Sequence, residues 1–510
     1  MAERVGEHNL ARLAESSLER HGDYESLLFE GAWHSSGSLA GRARRLAAGL
    51  TELGIAPGDR IVVLMSNCPD VGVAYQAAWR AGAVLTPAVF LLTPTELQHL
   101  LADSGARAVI TTPDLAGVVR EARQGVDTLE WVVTTGDAGE GELAAAELEQ
   151  AEPGPVVPRA DDDLAALMYT GGTTGRAKGV MLSHEMLWRA GEAGYEASYI
   201  PGVNRALVTL PLSHAYGMLV SVVGLHAREP NVVALLRWFD PFTFLTLTAE
   251  HRLQSSAVVP SMIQALLACP VEEFDLSSLR YLVCGAAPLA PESIRALHER
   301  LPHVELREGY GLTECCALLS TNPPGRVRNG SVGLPVPGVE VRIVDLSDEE
   351  LPGGEVGEIC CRSPFVMAGY WNDAQLTADA TRGGWLHTGD MGYVDDDGYL
   401  FIVDRMKDLI IRGGFNVFPR DVEDALLEHA AVAAAGVVGR PDDAHGEEVV
   451  AFVELRSGFD ADEPELVAYA KQRLGGYKYP REITILPQVP LTPVGKVDRK
   501  ALRALAEREE

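Results

Sequence analysis

A glycine-rich stretch from Tyr169 to Gly179, with the sequence YTGGTTGRAKG, constrains this chain more than any other. It follows a short apolar run, Leu164 to Met168, and leads into a second run, Val180 to His184, so we expect a loop between two strands. Its glycines let neighbouring backbone N–H groups turn toward one point, its threonines add hydroxyl donors, and Arg176 and Lys178 add positive charge. The stretch therefore predicts a polyphosphate-binding loop.

Two other interpretations bear on this loop. A P-loop kinase is disfavoured because Lys178 precedes Gly179 and a strand pattern follows, whereas the Walker A motif places Gly-Lys before Ser or Thr at the start of a helix. A flexible turn is the plainer alternative, since the chain holds 51 glycines among 510 residues, above the usual fraction of about 7%. Taken alone, the loop does not decide between a turn and a phosphate site.

Length, charge and cysteine content restrict the class of protein. With 510 residues and a formal charge of −29, the chain is long enough for two or more domains and carries a sign that repels nucleic acid. It shows no signal-peptide pattern and no run of about 18 apolar residues, so we expect a cytoplasmic protein without a transmembrane segment. Seven scattered cysteines without a C-x-x-C pair indicate neither a disulfide framework nor a zinc site. Signatures of serine hydrolases and of Rossmann dehydrogenases are missing as well.

Alternating helical and apolar patterns predict the fold of the chain as far as residue 324. They indicate an α/β fold of two layers with mainly parallel sheets. The expected strands are Arg60–Met65, Ala108–Thr111, Trp131–Thr134, Ala206–Leu210, Ser256–Val259 and Tyr281–Cys284. Residues 325–404 instead carry short β-rich runs between Pro/Gly turns, which predicts an antiparallel, barrel-like β region. The block after residue 404 has the size of a small α+β domain.

These patterns divide the chain into a large N-terminal domain, residues 1–404, and a small C-terminal domain, residues 405–510. Within the large domain we expect α/β parts at about 1–163 and 164–324, followed by the β region at 325–404.

Six further motifs follow the glycine-rich stretch. They are His214 to Met218 (HAYGM), Cys284 to Pro288 (CGAAP), Tyr310 to Glu314 (YGLTE), Thr388 to Asp390 (TGD) with the later Asp404-Arg405, Arg412 to Glu423, and Pro493 to Arg499 (PVGKVDR). Each has an ordinary explanation by itself, because a single histidine is usually structural, Asp is common beside turns, and a lysine near a chain end is usually solvated. Together with the glycine-rich stretch, and in this order, they resemble the ANL superfamily of adenylate-forming enzymes, most closely its acyl-CoA synthetases. The usual signature has Ser at Gly172 and Pro at Ala177.

The resemblance implies an ATP site with Mg²⁺. Tyr310 would stack on adenine, Thr313 would contact the α-phosphate, and Glu314 would hold Mg²⁺, which suits a hard cation. Asp390 would bind both ribose hydroxyls, and Arg405 would add a second contact to ribose or phosphate. The remaining ATP-binding residues implied are Thr170, Gly171, Gly172, Thr173, Thr174, Gly175, Lys178, Gly285, Ala286, Ala287 and Gly311.

The resemblance also implies an acid pocket, a thiol passage and a moving domain. His214 would be a gate and pocket wall, and the acyl pocket would be lined by Tyr216, Gly217, Met218, Val259, Gly309, Leu312 and Cys315. The thiol passage would be lined by Arg412, Gly413, Gly414 and Phe415. Lys496 would be the catalytic lysine, and Lys407 the hinge about which the small domain rotates between two steps.

The implied reaction joins a carboxylic acid to CoA through an acyl-adenylate. Because the pocket residues carry no charge, we expect a hydrophobic monocarboxylate and disfavour a dicarboxylate or an amino acid. A carrier-protein thiol as acceptor is the alternative, and a non-enzymatic nucleotide sensor is disfavoured because Glu314 and Lys496 are both present. The sequence leaves open the chain length and aromaticity of the acid, and whether the protein forms a homodimer.

Overall fold

The computed structural model describes residues 5–170, 177–345, 347–442, 444–492 and 497–507. Four sheets organise them. The helices are Leu10–His21, Ser36–Glu52, Pro69–Arg80, Pro94–Ser104, Ala116–Ala122, Ala145–Leu148, His184–Ser198, Ala215–Leu225, Pro241–Glu250, Pro260–Leu267, Pro291–Arg300, Ala374–Ala380, Pro419–Leu427, Glu463–Arg473 and Arg499–Ala506. None of these helices has the length and apolar character that crossing a lipid bilayer requires.

The first sheet has eight strands and carries the glycine-rich loop at one of its hairpins. Its order is Gly369–Tyr370, Lys178–Ser183, Leu164–Thr170, Val84–Ala88, Arg60–Leu64, Ala108–Thr111, Trp131–Thr134 and Leu143–Ala144. The central strands run parallel and are buried almost throughout, as expected where helices cover both faces. Leu164–Thr170 and Lys178–Ser183 pair in antiparallel fashion, which confirms that the predicted loop joins two strands.

The second sheet has nine strands, and its parallel centre ends at the predicted nucleotide motifs. Its order is Leu334–Pro335, Ser320–Thr321, Glu305–Tyr310, Tyr281–Cys284, Ser255–Val258, Arg205–Val208, Val232–Leu235, Glu25–Phe29 and Ala32–Ser35. Because parallel strands share one carboxyl edge, the segments that follow Tyr281–Cys284 and Glu305–Tyr310 lie side by side.

Two smaller sheets complete the chain. The barrel-like region takes the form of a four-stranded antiparallel sheet, in the order Glu340–Val344, Gly357–Arg362, Leu386–Val394 and Leu400–Arg405. The last sheet contains Phe415–Val417, Ile410–Arg412, Gly446–Leu455, Val432–Asp442 and Glu482–Leu486. The predicted class, an α/β large part followed by a β region and a small α+β part, is confirmed.

The two large sheets do not divide at residue 164. The hairpin of Leu164–Thr170 and Lys178–Ser183 belongs to the sheet of Arg60–Leu64, and the N-terminal strand Glu25–Phe29 pairs with Val232–Leu235. Local patterns reveal where strands are but not which distant strand each one joins, so the expected split at 163/164 does not follow the sheets.

Local signals fix several of the elements around the cleft. Thr93 and Glu96 form a reciprocal capping box at the start of Pro94–Ser104, and Ser183 caps the helix that follows the glycine-loop hairpin. His214 caps the helix Ala215–Leu225, since its Nδ1 accepts a hydrogen bond from the backbone N–H of Tyr216 at 3.3 Å. These caps set where the chain turns from strand to helix beside the candidate site.

Candidate active site

A cleft of about 2120 Å³ runs between the carboxyl edge of the second sheet, the β region and the small C-terminal part. Among the predicted residues that line it are Thr170, His214, Tyr216, Gly285, Ala286, Ala287, Gly309, Tyr310, Gly311, Leu312, Thr313, Glu314, Asp390, Arg405 and Lys407. Motifs that are far apart along the chain, from Thr170 to Lys407, therefore meet around one cleft.

Asp390 is the centre of the predicted nucleotide site. One of its carboxylate oxygens accepts a hydrogen bond from the Tyr310 hydroxyl at 2.6 Å, and the other lies 2.8 Å from Nε of Arg405. Asp390 and Arg405 are cross-strand partners in the antiparallel β region, so the ladder itself sets their pairing. Only 5% of the Asp390 side chain is exposed. Each carboxylate oxygen of Asp390 is thus held by its own partner.

Burial and the Asp390 charge control the ionisation of this group of residues. Burial, followed by the neighbouring carboxylate, raises the pKa of Tyr310 well above its usual value, which keeps its hydroxyl a hydrogen-bond donor at neutral pH. The Asp390 charge raises the pKa of the Arg405 guanidinium. The three side chains form a fixed cation–carboxylate–phenol arrangement at the end of two strands.

Glu314 lies in a short 3₁₀ turn, Thr313–Cys315, close to one end of the glycine-rich loop. Its Oε1 accepts a hydrogen bond from the Tyr370 hydroxyl at 2.7 Å, and Nζ of Lys178 lies 5.8 Å from the centroid of the Tyr370 ring. Burial and the Glu314 charge raise the pKa of Tyr370. The Glu314 carboxylate on the cleft wall fits Mg²⁺, which takes one or two carboxylates together with phosphate oxygens.

Tyr370 was not predicted from the sequence. It lies on the two-residue strand Gly369–Tyr370, which pairs with Lys178–Ser183 and so comes close to Lys178. A single tyrosine after a glycine carries no pattern of its own, and only the sheet pairing shows its position.

The glycine-rich loop is described at its two ends. Thr170 and Lys178 are cross-strand partners at the mouth of the hairpin. The predicted ATP-binding residues Gly171, Gly172, Thr173, Thr174 and Gly175 lie outside the described residues.

Two glycines allow the close backbone approach that brings the nucleotide motifs together. A Cβ on Gly285 would lie 3.0 Å from the carbonyl oxygen of Gly309, and a Cβ on Gly311 would lie 2.3 Å from the carbonyl carbon of Ala317. Ala286 has a φ of +70°, an uncommon conformation for a residue with a side chain. The segment after Tyr281–Cys284 is therefore a tightly constrained part of the cleft wall.

Three of the predicted acyl-pocket residues line the cleft. They are Tyr216, Gly309 and Leu312, and the Tyr216 hydroxyl donates to the carbonyl oxygen of Val283 at 3.2 Å. Residues that also line it, without a sequence signal, are Leu219, Val220, Ala257, Ser261, Val283 and Ala317. These nine residues carry no charge, whereas Glu308, next to Gly309, also lines the cleft.

Four predicted pocket residues do not line the cleft. Met218 and Cys315 are buried in the core, with 0% and 1% exposure. Gly217 packs against the backbone, since a Cβ there would lie 2.1 Å from the carbonyl oxygen of Pro211, and Val259 instead precedes the helix Pro260–Leu267. The helical and strand periodicity at these motifs places neighbouring residues on opposite faces, which the sequence motifs alone did not resolve.

The small C-terminal part turns one face toward the cleft. Ala433, Ala434, Thr492, Val497 and Arg499 are among its lining residues. The predicted catalytic Lys496 lies outside the described residues.

Buried ion pairs connect this face to the chain after the predicted hinge. Arg499 pairs with Glu423 at 2.8 Å, and Asp408 accepts from Arg503 at 2.6 Å. Lys407 lies in the short turn Met406–Asp408, and burial lowers the pKa of its ammonium group. The segment around Lys407 thus connects the β region to a charged interface.

The predicted thiol-passage residues lie elsewhere on the small part. Gly413 and Gly414 form the turn of a hairpin between Ile410–Arg412 and Phe415–Val417, with φ values of +59° and +80°. These positive φ values explain the glycines, because L-residues with a side chain rarely adopt them. A Cβ on Gly414 would meet nothing within 4 Å, so in this conformation no narrow passage surrounds it.

The flanks of this hairpin are held differently from its turn. Arg412 pairs with Glu448 at 2.5 Å, whereas Phe415 is 59% exposed and lies against Tyr477 with ring centroids 4.9 Å apart. The four residues of the predicted passage are absent from the described lining of the cleft.

Comparison of the sequence with known protein families identifies the family of this chain. The family model "AMP-binding enzyme" matches residues 14–371, and "AMP-binding enzyme C-terminal domain" matches residues 421–496. The chain belongs to this family of adenylate-forming enzymes, the ANL superfamily, and its relatives include CoA ligases.

Three relatives illustrate the range of the family. The chain is 38% identical to a feruloyl-CoA synthase of Amycolatopsis sp, covering 91% of this chain and 92% of the relative. It is 33% identical to a long-chain-fatty-acid–CoA ligase of Bacillus subtilis strain 168, covering 97% and 94%. Its structure is similar to that of the amide bond synthetase McbA from Marinactinospora thermotolerans, with a TM-score of 0.89, 32% identity and coverage of 98% and 99%.

Proposed function

We propose that this protein activates a hydrophobic monocarboxylic acid with Mg·ATP and transfers the acyl group to CoA. In the first step a carboxylate oxygen attacks the α-phosphorus, the bond to pyrophosphate breaks, and an acyl-adenylate forms. In the second step the CoA sulfur attacks the acyl carbon, and AMP leaves with the bonding electron pair. The observation that carries the proposal is the pairing of Asp390 with Tyr310 and Arg405 in one cleft, in a chain that belongs to the AMP-binding enzyme family.

The residues of the cleft would position ATP and stabilise the charge on its phosphate groups. Asp390 would hold the ribose hydroxyls, Tyr310 would present its ring to adenine, and Thr313 would contact the α-phosphate at the end of the same segment. Glu314 would bind Mg²⁺, which neutralises phosphate charge when present. Lys496 would stabilise the charge that develops at the α-phosphate during attack.

The nature of the acid follows from the lining of the pocket. A second carboxylate or an ammonium group buried against uncharged residues such as Val283 and Ala317 would be left without a partner, at several kcal/mol. The relatives named as acting on ferulate and on long-chain fatty acids both handle apolar monocarboxylates. We therefore propose an arylpropenoate or aliphatic acid and disfavour malonate or an amino acid.

A panel of acids tests this proposal. Initial rates of pyrophosphate release would be compared for ferulate, fatty acids of several lengths, malonate and an amino acid, at equal ATP and CoA. The apolar acids should be activated far better than the others. A preference for malonate or for an amino acid would contradict the proposal.

The acceptor is tested separately, because three kinds of nucleophile are compatible with the adenylation site. CoA, a carrier-protein thiol and an amine, the last suggested by the name of the amide bond synthetase, would each be offered to the acyl-adenylate. We expect turnover with CoA. If only a carrier protein or an amine supports turnover, adenylate formation stands and the CoA assignment fails.

We further propose that residues 1–404 and 405–510 act as two domains with a hinge at Lys407. The described cleft lining includes Thr492 and Val497, which stand on either side of Lys496 in the sequence, and it lacks Gly413 and Gly414. One orientation would therefore serve adenylation, and a rotation would bring the glycine hairpin to the acyl-adenylate.

A further inference from the structure

The helix Ala215–Leu225 covers one face of the second sheet from its carboxyl edge toward its amino end. It connects Arg205–Val208 to Val232–Leu235, and because these two strands pair in parallel, the helix runs back in the opposite direction. Tyr216 therefore lies at the carboxyl edge of the sheet, whereas Gly224 lies toward the amino end. Both residues line the cleft, so the cleft extends along most of this helix.

One side of the helix faces the cleft along this length. Tyr216, Val220 and Gly224 line the cleft at intervals of four residues, which places them on the same side of the helix. All three are only partly buried. Met218 and Val222, on the opposite side, are 0% and 1% exposed and belong to the core. The cleft therefore continues beneath the helix, inward from the carboxyl edge.

The floor beneath this helix is made of small side chains on neighbouring strands. Ala206 pairs with Ser255, and Ala257 pairs with Val283, so these four residues share one face of the sheet. All four line the cleft, and the residues that alternate with them pack in the core on the other face. The Tyr216 hydroxyl, which donates to the carbonyl oxygen of Val283, connects the helix to this floor. We call the space between these four residues and the cleft side of the helix the acyl trough.

Gly224 opens the acyl trough on the helix side. A Cβ there would meet Nδ2 of Asn231 at 3.4 Å and, outside its own helix, no other described atom within 4 Å. A Cβ on Gly194, in the neighbouring helix His184–Ser198, would instead lie 3.0 Å from Cγ2 of Val223, so close packing accounts for that glycine. Glycine weakens a helix relative to alanine, and close packing does not require it at residue 224. What Gly224 contributes is the open space beside it.

The acyl trough is deeper than an aromatic acid requires. Tyr216 and Gly224 are separated by about 12 Å along the helix, at about 1.5 Å per residue. An extended chain advances about 1.2 Å per bond, so this depth takes about ten carbons, whereas an arylpropenoate, at about 8 Å, would fill only its first part. The whole cleft of about 2120 Å³ also exceeds the usual size of a small-molecule site, about 300–1,000 Å³. It therefore has room for a long acid beside the nucleotide.

Polar groups mark the far end of the acyl trough. Asn204 and Arg205 line the cleft where the strand Arg205–Val208 begins. The Arg205 guanidinium donates through Nε to the carbonyl oxygen of His251, a neutral partner that leaves its charge in place. Methylene groups that reached these residues would meet amide and charged groups and gain nothing further from apolar burial. The trough thus has an upper limit of length.

We propose that the acid is a straight-chain aliphatic acid of about 10–14 carbons, whose chain lies in the acyl trough, and that Gly224 and Ala206 determine its length. This rests on the proposed function, which it narrows from aromatic or aliphatic acids to aliphatic ones. Each methylene group that leaves water for the apolar walls should raise kcat/KM by up to about fourfold. An arylpropenoate would leave water in the inner part of the trough, against the Ala206 side chain.

A chain-length series tests the inference on the full chain. kcat/KM for pyrophosphate release would be measured at saturating Mg·ATP for even-numbered saturated acids from hexanoate to octadecanoate and for ferulate. The wild type should reach its maximum between decanoate and tetradecanoate, at least about a hundredfold above hexanoate. Ferulate should give a lower kcat/KM than the best aliphatic acid.

Two variants shorten the acyl trough from opposite walls. Gly224→Leu fills it from the helix and Ala206→Leu from the floor, so each should lower the ratio of kcat/KM for tetradecanoate to that for octanoate by at least about tenfold. The ratio does not depend on the fraction of protein that is folded, because unfolding removes activity toward both acids equally. Gly117→Leu, on the helix Ala116–Ala122 outside the described cleft lining, is the matched control and should keep the wild-type ratio.

The outcomes separate this inference from the function on which it rests. A maximum at hexanoate, a preference for ferulate, or an unchanged ratio in both Gly224→Leu and Ala206→Leu would overturn the inference and leave acid activation standing. If no acid of the series releases pyrophosphate, the inference and the proposed function both fail.

Discussion

The nucleotide side of the cleft and the glycine hairpin of the small C-terminal part differ in how their groups are held. At Asp390 both carboxylate oxygens are engaged and 5% of the side chain is exposed. At the hairpin, Phe415 is 59% exposed and an added Cβ on Gly414 meets nothing. The described groups proposed for the first half-reaction are thus held in place in this conformation, whereas those proposed for the second would have to be brought to the cleft by a movement.

The largest effect that separates the two regions is expected from Lys496→Ala. Loss of one positioned cation that stabilises transition-state charge typically lowers a rate by about 10²–10³, so acid plus ATP should release almost no pyrophosphate. Given preformed acyl-adenylate and CoA, the variant should make thioester at close to the wild-type rate. Lys471→Ala, an exposed lysine on the helix Glu463–Arg473, is the control.

Gly414→Leu should show the reverse pattern. Its φ of +80° is disfavoured for a side chain by roughly 1–2 kcal/mol, and the bulk of Leu would enter the passage once the domain has rotated. Pyrophosphate should appear as a single burst with little acyl transfer. Gly414→Ala carries the backbone strain without the bulk of Leu, so it should transfer the acyl group faster than Gly414→Leu does. If Lys496→Ala and Gly414→Leu lose the same half-reaction, one orientation serves both steps and the hinge role of Lys407 is wrong.

Asp390→Ala should weaken ATP binding by about 2–3 kcal/mol, the magnitude of a lost charge-assisted pair. Because the carboxylate would hold both ribose hydroxyls, replacing ATP by 2′-deoxy-ATP should harm the wild type much more than the variant. KM values for the two nucleotides measure this, with the exposed Asp397→Ala as control. If the change from ATP to 2′-deoxy-ATP raises KM by the same factor in Asp390→Ala and in the wild type, Asp390 does not recognise the ribose.

The last effect is on stability and not on catalysis, and it concerns Glu308, a buried carboxyl group on the cleft wall whose pKa is raised from 4.5 to about 7, chiefly by burial. The folded state keeps this proton to a higher pH than the unfolded state does, so its contribution to stability is complete below about 4.5 and is lost as the pH rises through about 7.

Glu308→Gln should remove that loss, which is at most about 3 kcal/mol. Urea unfolding at pH 5 and pH 8 would compare the wild type, Glu308→Gln and the exposed control Glu299→Gln. The wild type should lose more free energy of unfolding between the two pH values than Glu308→Gln. If the wild type and Glu308→Gln lose the same free energy of unfolding between pH 5 and pH 8, the loss comes from the titration of another group.

The sequence predicted the class of fold and most motif positions, because strand runs and glycine turns are local signals. Asp390 and Arg405, which the sequence motifs assigned to one site, are cross-strand partners in one antiparallel ladder. Tyr370 and the acid-pocket lining at Val283 and Ala317 could not be predicted, because their positions depend on which strands pair and which face each side chain takes. For the same reason Met218 and Cys315 were wrongly expected in the pocket.

The pairing of Glu25–Phe29 with Val232–Leu235 has a consequence for synthesis on the ribosome. The strand Glu25–Phe29 leaves the exit tunnel long before its partner, and at about 5–20 residues per second the roughly 200 residues between them require about 10–40 s. During that interval the hairpin of Glu25–Phe29 and Ala32–Ser35 has an unpaired edge, which is where a nascent chain is open to chaperones or to aggregation. Completion of the second sheet is therefore a late step in the folding of this enzyme, and it depends on a long-range contact.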